Sequence, residues 1–166
     1  LWAENEDHWS VQNIGVDANG NDASGICNYG GDWVGYTNCY SRNSDDSGLQ
    51  HWGGAGENTQ DCNHCLIVNC FSESNRWNLV LDGGLFNCGV IGNVSHSADT
   101  RHMGCDNRSH TDSDIRGIHM SHNVLQSSGD DSTTDEAIII RGGSSGDPQR
   151  STDGKVYGHI KDNFVY

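Results

Sequence analysis

Basic residues are scarce in this chain. Lysine occurs twice and arginine seven times, against 23 acidic residues, 18 of them aspartate. The net charge of −14 would repel phosphate, which argues against a nucleic-acid or anionic-membrane partner. Abundant aspartate with little lysine fits a protein that stays soluble in high salt or one that binds cations. No run of 18 apolar residues exists, so no segment is expected to insert into a membrane. No secretory leader is recognisable, and the text at both ends ("LWAENED", "IKDNFVY") reads as strand. We therefore expect one domain over 1–166, either a mature product or a piece of a longer chain or assembly. Seven cysteines cannot all pair with one another. Cys62 and Cys65 form a lone Cys-x-x-Cys, and the second pair that a structural zinc site usually needs is missing.

What the chain does have is repetition, which governs any reading of its fold. "GICNYGG", "GLQHWGG", "NLVLDGG", "HMGCDNR" and "AIIIRGG" align from Gly25, Gly48, Asn78, His102 and Ala137. The second position is always large and apolar: Ile26, Leu49, Leu79, Met103, Ile138. The fourth reads Asn28, His51, Leu81, Cys105, Ile140. A spacing of two places both columns on one face of a strand. Downstream of these strands, Asn13, Asn38, Asn69, Asn93, Asn123 and Asn163 each precede Ile14, Cys39, Cys70, Val94, Val124 and Phe164. Val11, Tyr36, Ile67 and Ile91 lie two residues before the first four asparagines. In the last two repeats the apolar residue moves by one, to Met120 and Ile160, which suggests a bulge or a change of register.

Successive asparagines are 25, 31, 24, 30 and 40 residues apart, so insertions fall in the turns while the strand text persists. Asparagine tolerates left-handed turn geometry, and stacked amides can hydrogen-bond from copy to copy. The unit is thus strand, glycine turn, strand, asparagine turn, strand, polar turn. This pattern resembles a right-handed parallel β-helix of the pectate-lyase-like superfamily and of phage tailspikes. The resemblance implies an all-β solenoid of about five full coils plus partial end coils. It also implies adjacent-coil contacts such as Cys39 on Cys70, expected as buried thiols, with Asn28 and His51 as satisfied polar groups of the core. No amphipathic capping helix is visible at either end. Further chain or partner subunits, for instance a homotrimer or larger assembly, are expected to cover the ends.

The outward fifth position of the first strand column reads Tyr29, Trp52, Asp82, Asp106, Arg141. At one coil per step this is a stripe of about 20 Å. Trp77 lies just before the third strand of the set and His102 begins the fourth. Aromatic area for sugar C–H groups, with carboxylates and a guanidinium for hydroxyls or acidic groups, suits an extended sugar polymer. Tyr29, Trp52, Trp77 and His102 are the candidate carbohydrate-binding residues. Asp82, Asp106 and Arg141 are the candidate catalytic residues. Asp82 and Asp106, as next-coil neighbours, form either an acid/base pair or part of a calcium site. A simple turn role is the competing reading, since Asp82 precedes Gly83–Gly84. The Gly-His-Gly and Arg-Ile-Lys signatures of polygalacturonase-like enzymes are absent; "YGHIKDN" is only an echo of them. Polar insertions at Asn107–Asp114, Gln126–Glu136 and Gly142–Gly154 are candidate binding loops. The resemblance implies an extracellular glycan-engaging module, at a cell surface or on a virion as a tailspike-like adhesion protein that recognises host polysaccharide. A polysaccharide lyase or glycoside hydrolase is the alternative, and a purely structural stalk the second alternative.

Overall fold

The computed structural model describes residues 1–21, 23–53, 60–106, 115–126, 136–141 and 156–165; the side chains of Asp106, Glu136, Arg141 and Val156 lie outside that description. The chain winds through about six coils. The first comprises β1 (Trp2–Glu4), β2 (Ser10–Gln12) and β3 (Gly15–Asn21); the second, β4 (Ile26–Tyr29), β5 (Gly35–Thr37) and β6 (Tyr40–Ser44). The third adds a short strand: β7 (Ser47–Gly53), β8 (Cys62–Asn63), β9 (Leu66–Val68) and β10 (Phe71–Glu73). The fourth has β11 (Trp77–Gly83), β12 (Leu85–Phe86), β13 (Gly89–Ile91) and β14 (Val94–His96). The fifth has β15 (Arg101–Asp106), β16 (Ile115–Ser121) and β17 (Val124–Gln126); the sixth, β18 (Glu136–Arg141), β19 (Val156–Lys161) and β20 (Phe164–Val165).

Stacking the coils produces three parallel sheets. The first runs β1-β4-β7-β11-β15-β18 and the third β3-β6-β10-β14-β17-β20. The second runs β2-β5-β9-β13-β16, with β8, β12 and β19 joining it. The fold is therefore an all-β parallel solenoid. Its register follows the glycine-turn alignment of the sequence: Ile26, Leu49, Leu79, Met103 and Ile138 are successive partners, as are Asn28, His51, Leu81, Cys105 and Ile140. Leu49, Leu79, Leu81 and Met103 are buried against one another in the core. Removing one such leucine side chain would cost about 2–5 kcal/mol. His51 is fully buried, stacks on Tyr36 at 4.5 Å, and places Nε2 3.3 Å from the Leu66 carbonyl. Burial holds its pKa below the ordinary histidine value.

The asparagine column differs from the sequence alignment. Val11, Tyr36, Ile67, Val90, Met120 and Ile160 form one continuous inward column; Val90, not Ile91, is its fourth member. A two-residue corner then joins the second sheet to the third in every coil. Its first residue is Asn13, Asn38, Asn69, Gly92, His122 or Asp162, each at positive φ. Its second residue is Ile14, Cys39, Cys70, Asn93, Asn123 or Asn163, of which Cys39, Cys70, Asn93 and Asn123 are buried inside the stack. Six asparagines thus divide between two adjacent columns, three on the left-handed outer position and three inside. The offset of Met120 from its asparagine arises between coils three and four, where asparagine moves from the first corner position to the second; the register between β16 and β19 also shifts, between Arg116 and Ile118 around Gly117 at φ 68°.

The inner column is a hydrogen-bond ladder. The Asn93 backbone N–H donates to Asn123 Oδ1 at 3.0 Å, and the Asn123 N–H to Asn163 Oδ1 at 3.0 Å. Each amide also donates back one coil, Asn93 to the Ile67 carbonyl and Asn123 to the Val90 carbonyl, both at 2.9 Å. Sulfur replaces the amide farther up: Cys70 N–H donates to Asn93 Oδ1 at 2.8 Å, and Cys39 N–H to Cys70 Sγ at 3.3 Å. All seven cysteines are free and buried. Cys62, at the start of β8, lies with Cys65 and Cys88, which follow β8 and β12, near the Asn28 amide, which donates to the sulfurs of Cys62 and Cys65. The Cys65 thiol donates to the Gly31 carbonyl at 3.2 Å, and the Cys88 thiol to the Phe86 carbonyl at 3.4 Å.

Candidate functional site

The stripe expected from the sequence follows one backbone column of the first sheet, and its described side chains Tyr29, Trp52 and Asp82 lie on the outer face. Backbone register aligns Glu4, Tyr29, Trp52, Asp82, Asp106 and Arg141. The aromatic part is contiguous. Trp2, from the neighbouring outward column, stacks on Tyr29 at 4.7 Å and 13°. Trp52 meets Tyr29 at 4.4 Å but is tilted by 52°, so it stands outside the parallel stack. Trp2 is 59% exposed, while Tyr29 and Trp52 are half-buried. Together they cover Cys27, an outward-facing thiol with no exposure that lies 3.7 Å from Gln50 Oε1. Burial, then the neighbouring Cys27, Asp46 and Asp82, pushes the Tyr29 pKa well up, so its hydroxyl stays protonated across ordinary pH.

Asp82 sits one coil beyond Trp52 and is only 6% exposed. Asp106 and Arg141 follow it by backbone register; their side chains lie outside the described residues, so the Asp82–Asp106 carboxylate geometry does too. Among the described residues no cluster of three or more histidine, cysteine, aspartate or glutamate side chains is arranged to hold a metal ion.

The two remaining sequence candidates fall elsewhere. Trp77 opens β11 at the far side of the first sheet, with the Arg101 guanidinium 4.3 Å over its ring. That contact closes one face of the indole. His102 belongs to the column Gly25, Gly48, Asn78, His102, which points into the solenoid. A Cβ added at Gly48 would meet Ser72 Oγ and lie 2.9 Å from the Asn78 carbonyl. His102 is 2% exposed, with Nδ1 2.9 Å from Ser95 Oγ. It lines a polar seam of Ser72, Asn75, Asn78 and Ser95 inside the corner between the third and first sheets.

No protein-family model, curated protein or solved structure matches this chain. Its chemistry must therefore be read from its own surfaces.

The Asn107–Asp114 insertion lies outside the described residues. So do those at Gln126–Glu136 and Gly142–Gly154, apart from Gln126 and the Glu136 backbone. Sequence reasoning missed Trp2 and the outer face of the third sheet, where Tyr40, Arg42, Glu73 and His96 gather. Tyr40 donates to Glu73 Oε1, His96 Nδ1 lies 3.6 Å from Glu73 Oε2, and Arg42 pairs with Asp17 at 2.7 Å. Counting two and four residues on from each corner dipeptide would have found these residues. The one-residue misplacement of Asn93 concealed that Val94 and His96 continue the columns of Phe71 and Glu73.

Proposed function

We propose that this chain is an extracellular glycan-engaging solenoid, of the right-handed pectate-lyase-like and tailspike-like kind, that recognises a polysaccharide at a cell surface. The observation that supports it is the single outward column running from Tyr29 and Trp52 to Asp82, with the exposed Trp2 beside it. Apolar ring area next to a hydrogen-bonding carboxylate is what a sugar polymer needs. A rigid solenoid holds these groups at one fixed spacing, about 4.8 Å per coil. Net acidity disfavours nucleic acid as a competing ligand.

The register adjacency of Asp82 and Asp106, followed by Arg141, favours a second reading: a lyase or glycosidase on the same stripe, with calcium as its cation. One experiment separates the readings. The protein is screened in high salt against neutral and acidic polysaccharides, scoring retention, reducing ends and ultraviolet-absorbing unsaturated products, with and without calcium. Retention without product, weakened by Trp52→Ala, is the expected result. Product formation abolished by Asp82→Asn would replace recognition with catalysis. Neither retention nor product would leave a structural stalk.

A further inference from the structure

The outer face of the third sheet is two side chains wide. Its first outward column is apolar after Gly15: Tyr40, Phe71, Val94, Val124 and Phe164 are successive register partners. Phe71 is 36% and Phe164 62% exposed, and the other three are half-buried. The Tyr40 and Phe71 rings are tilted by 33° at 5.7 Å, and the Arg42 guanidinium lies 5.9 Å over the Tyr40 ring, so Phe71 is the more open of the two. This contrasts with the parallel Trp2–Tyr29 stack on the first sheet.

The second outward column, two residues on, is polar: Asp17, Arg42, Glu73, His96 and Gln126. Its charges are matched from within. Arg42 is held by Asp17, whose pKa is lowered by hydrogen bonds from Asn43, Asn19 and Arg42. Glu73 accepts from Tyr40 and faces His96. Coils two to five therefore each offer one apolar side chain and one hydrogen-bonding side chain, and the one guanidinium among these described residues, Arg42, is taken by Asp17.

We propose that this ribbon is a second glycan-binding surface, and that its ligand is a neutral, extended polysaccharide lying along the solenoid axis. The proposal rests on the glycan reading above and adds a site and a ligand class to it. Sugar C–H faces would lie on Phe71 and along Val94 and Val124, with hydroxyls reaching Glu73, His96 and Gln126. A second protein copy fits less well. Five coils of about 4.8 Å by two outward positions of about 7 Å each give roughly 340 Å². A stable protein interface buries about 800 Å² per partner. A slim linear polymer needs no such area.

The test is electrophoretic retardation in gels containing hydroxyethyl cellulose, mannan or polygalacturonate. Wild-type protein is compared with Phe71→Ala, Phe71→Tyr and Trp52→Ala, and thermal melting confirms that each variant is folded. The expected result is retardation by a neutral polymer, weakened about tenfold by Phe71→Ala, the equivalent of losing part of one buried ring, and restored by Phe71→Tyr. Retardation lost with Trp52→Ala but unchanged by Phe71→Ala overturns the ribbon and leaves the first-sheet reading standing. Retardation by polygalacturonate alone also overturns the ribbon. No retardation by any polymer removes both readings. A sedimentation change in Phe71→Ala from oligomer to monomer, with retardation unchanged, would make the ribbon an interface between copies and overturn the proposal.

Discussion

Asn123→Ala tests the inner ladder most directly. Asn123 is fully buried, and its side chain serves two backbone groups that have no water to turn to. Its Oδ1 accepts the Asn93 N–H at 3.0 Å, and its Nδ2 donates to the Val90 carbonyl at 2.9 Å. Alanine orphans both groups. The bond from the Asn123 backbone N–H to Asn163 Oδ1 survives the substitution, so it does not enter the sum. Each orphaned buried group costs about 1–3 kcal/mol, which gives about 4 kcal/mol in all. For a chain of this size that is a drop in melting temperature of about 10 °C. Asn38 supplies the control. It occupies the outer corner position, is exposed, and has φ 52°. Glycine tolerates that conformation, so Asn38→Gly should change stability little, while Asn38→Ala should cost about 1–2 kcal/mol for the left-handed backbone. The assay is urea unfolding followed by circular dichroism. An Asn123→Ala loss no larger than that of Asn38→Ala would refute the two-column account. A double-mutant cycle with Asn93→Ala should show strong coupling, because the two amides share a bond at 3.0 Å.

Gly48→Ala should destabilise by about 1–3 kcal/mol, because its methyl group would press on Ser72, Asn75 and the Asn78 backbone; a neutral melting temperature would show that the seam can yield. Stability should fall as pH rises from about 9 towards 12. Burial raises the Cys27 thiol from its ordinary 9.0 to about 12 and Cys70 to about 11, so the unfolded chain loses those protons first. Cys27→Ala should flatten that alkaline limb in pH-dependent urea titrations. At the acid end, His51 is held neutral by burial while the unfolded chain protonates it near 6.5, so its contribution is lost as pH falls below that value. An unchanged acid slope in His51→Gln would place the acid sensitivity elsewhere.

The first-sheet columns were legible in the sequence because they begin at a fixed distance from a repeated glycine turn. Ile26, Leu49, Leu79 and Met103 share one offset, and their alternation with outward residues is local chain geometry. The stripe of Tyr29, Trp52 and Asp82 was readable for the same reason. His102 was not. It lies second in its strand, beside a corner where the chain turns inward, so period-two counting sets it on the wrong side of the wall. The asparagine corner failed for a related reason. Asn69 and Asn93 look equivalent beside an apolar neighbour, yet one takes the left-handed outer position and the other the inner ladder.

Sequence alone determined that this chain is a stack of β coils, because each repeat carries its own apolar period and its own turn residue. Only the tertiary structure decided which column each corner residue joins, which aromatic faces remain open, and where charges meet. Those depend on register between coils some 23 to 40 residues apart. One residue of slip there exchanges inside for outside without altering a single local preference.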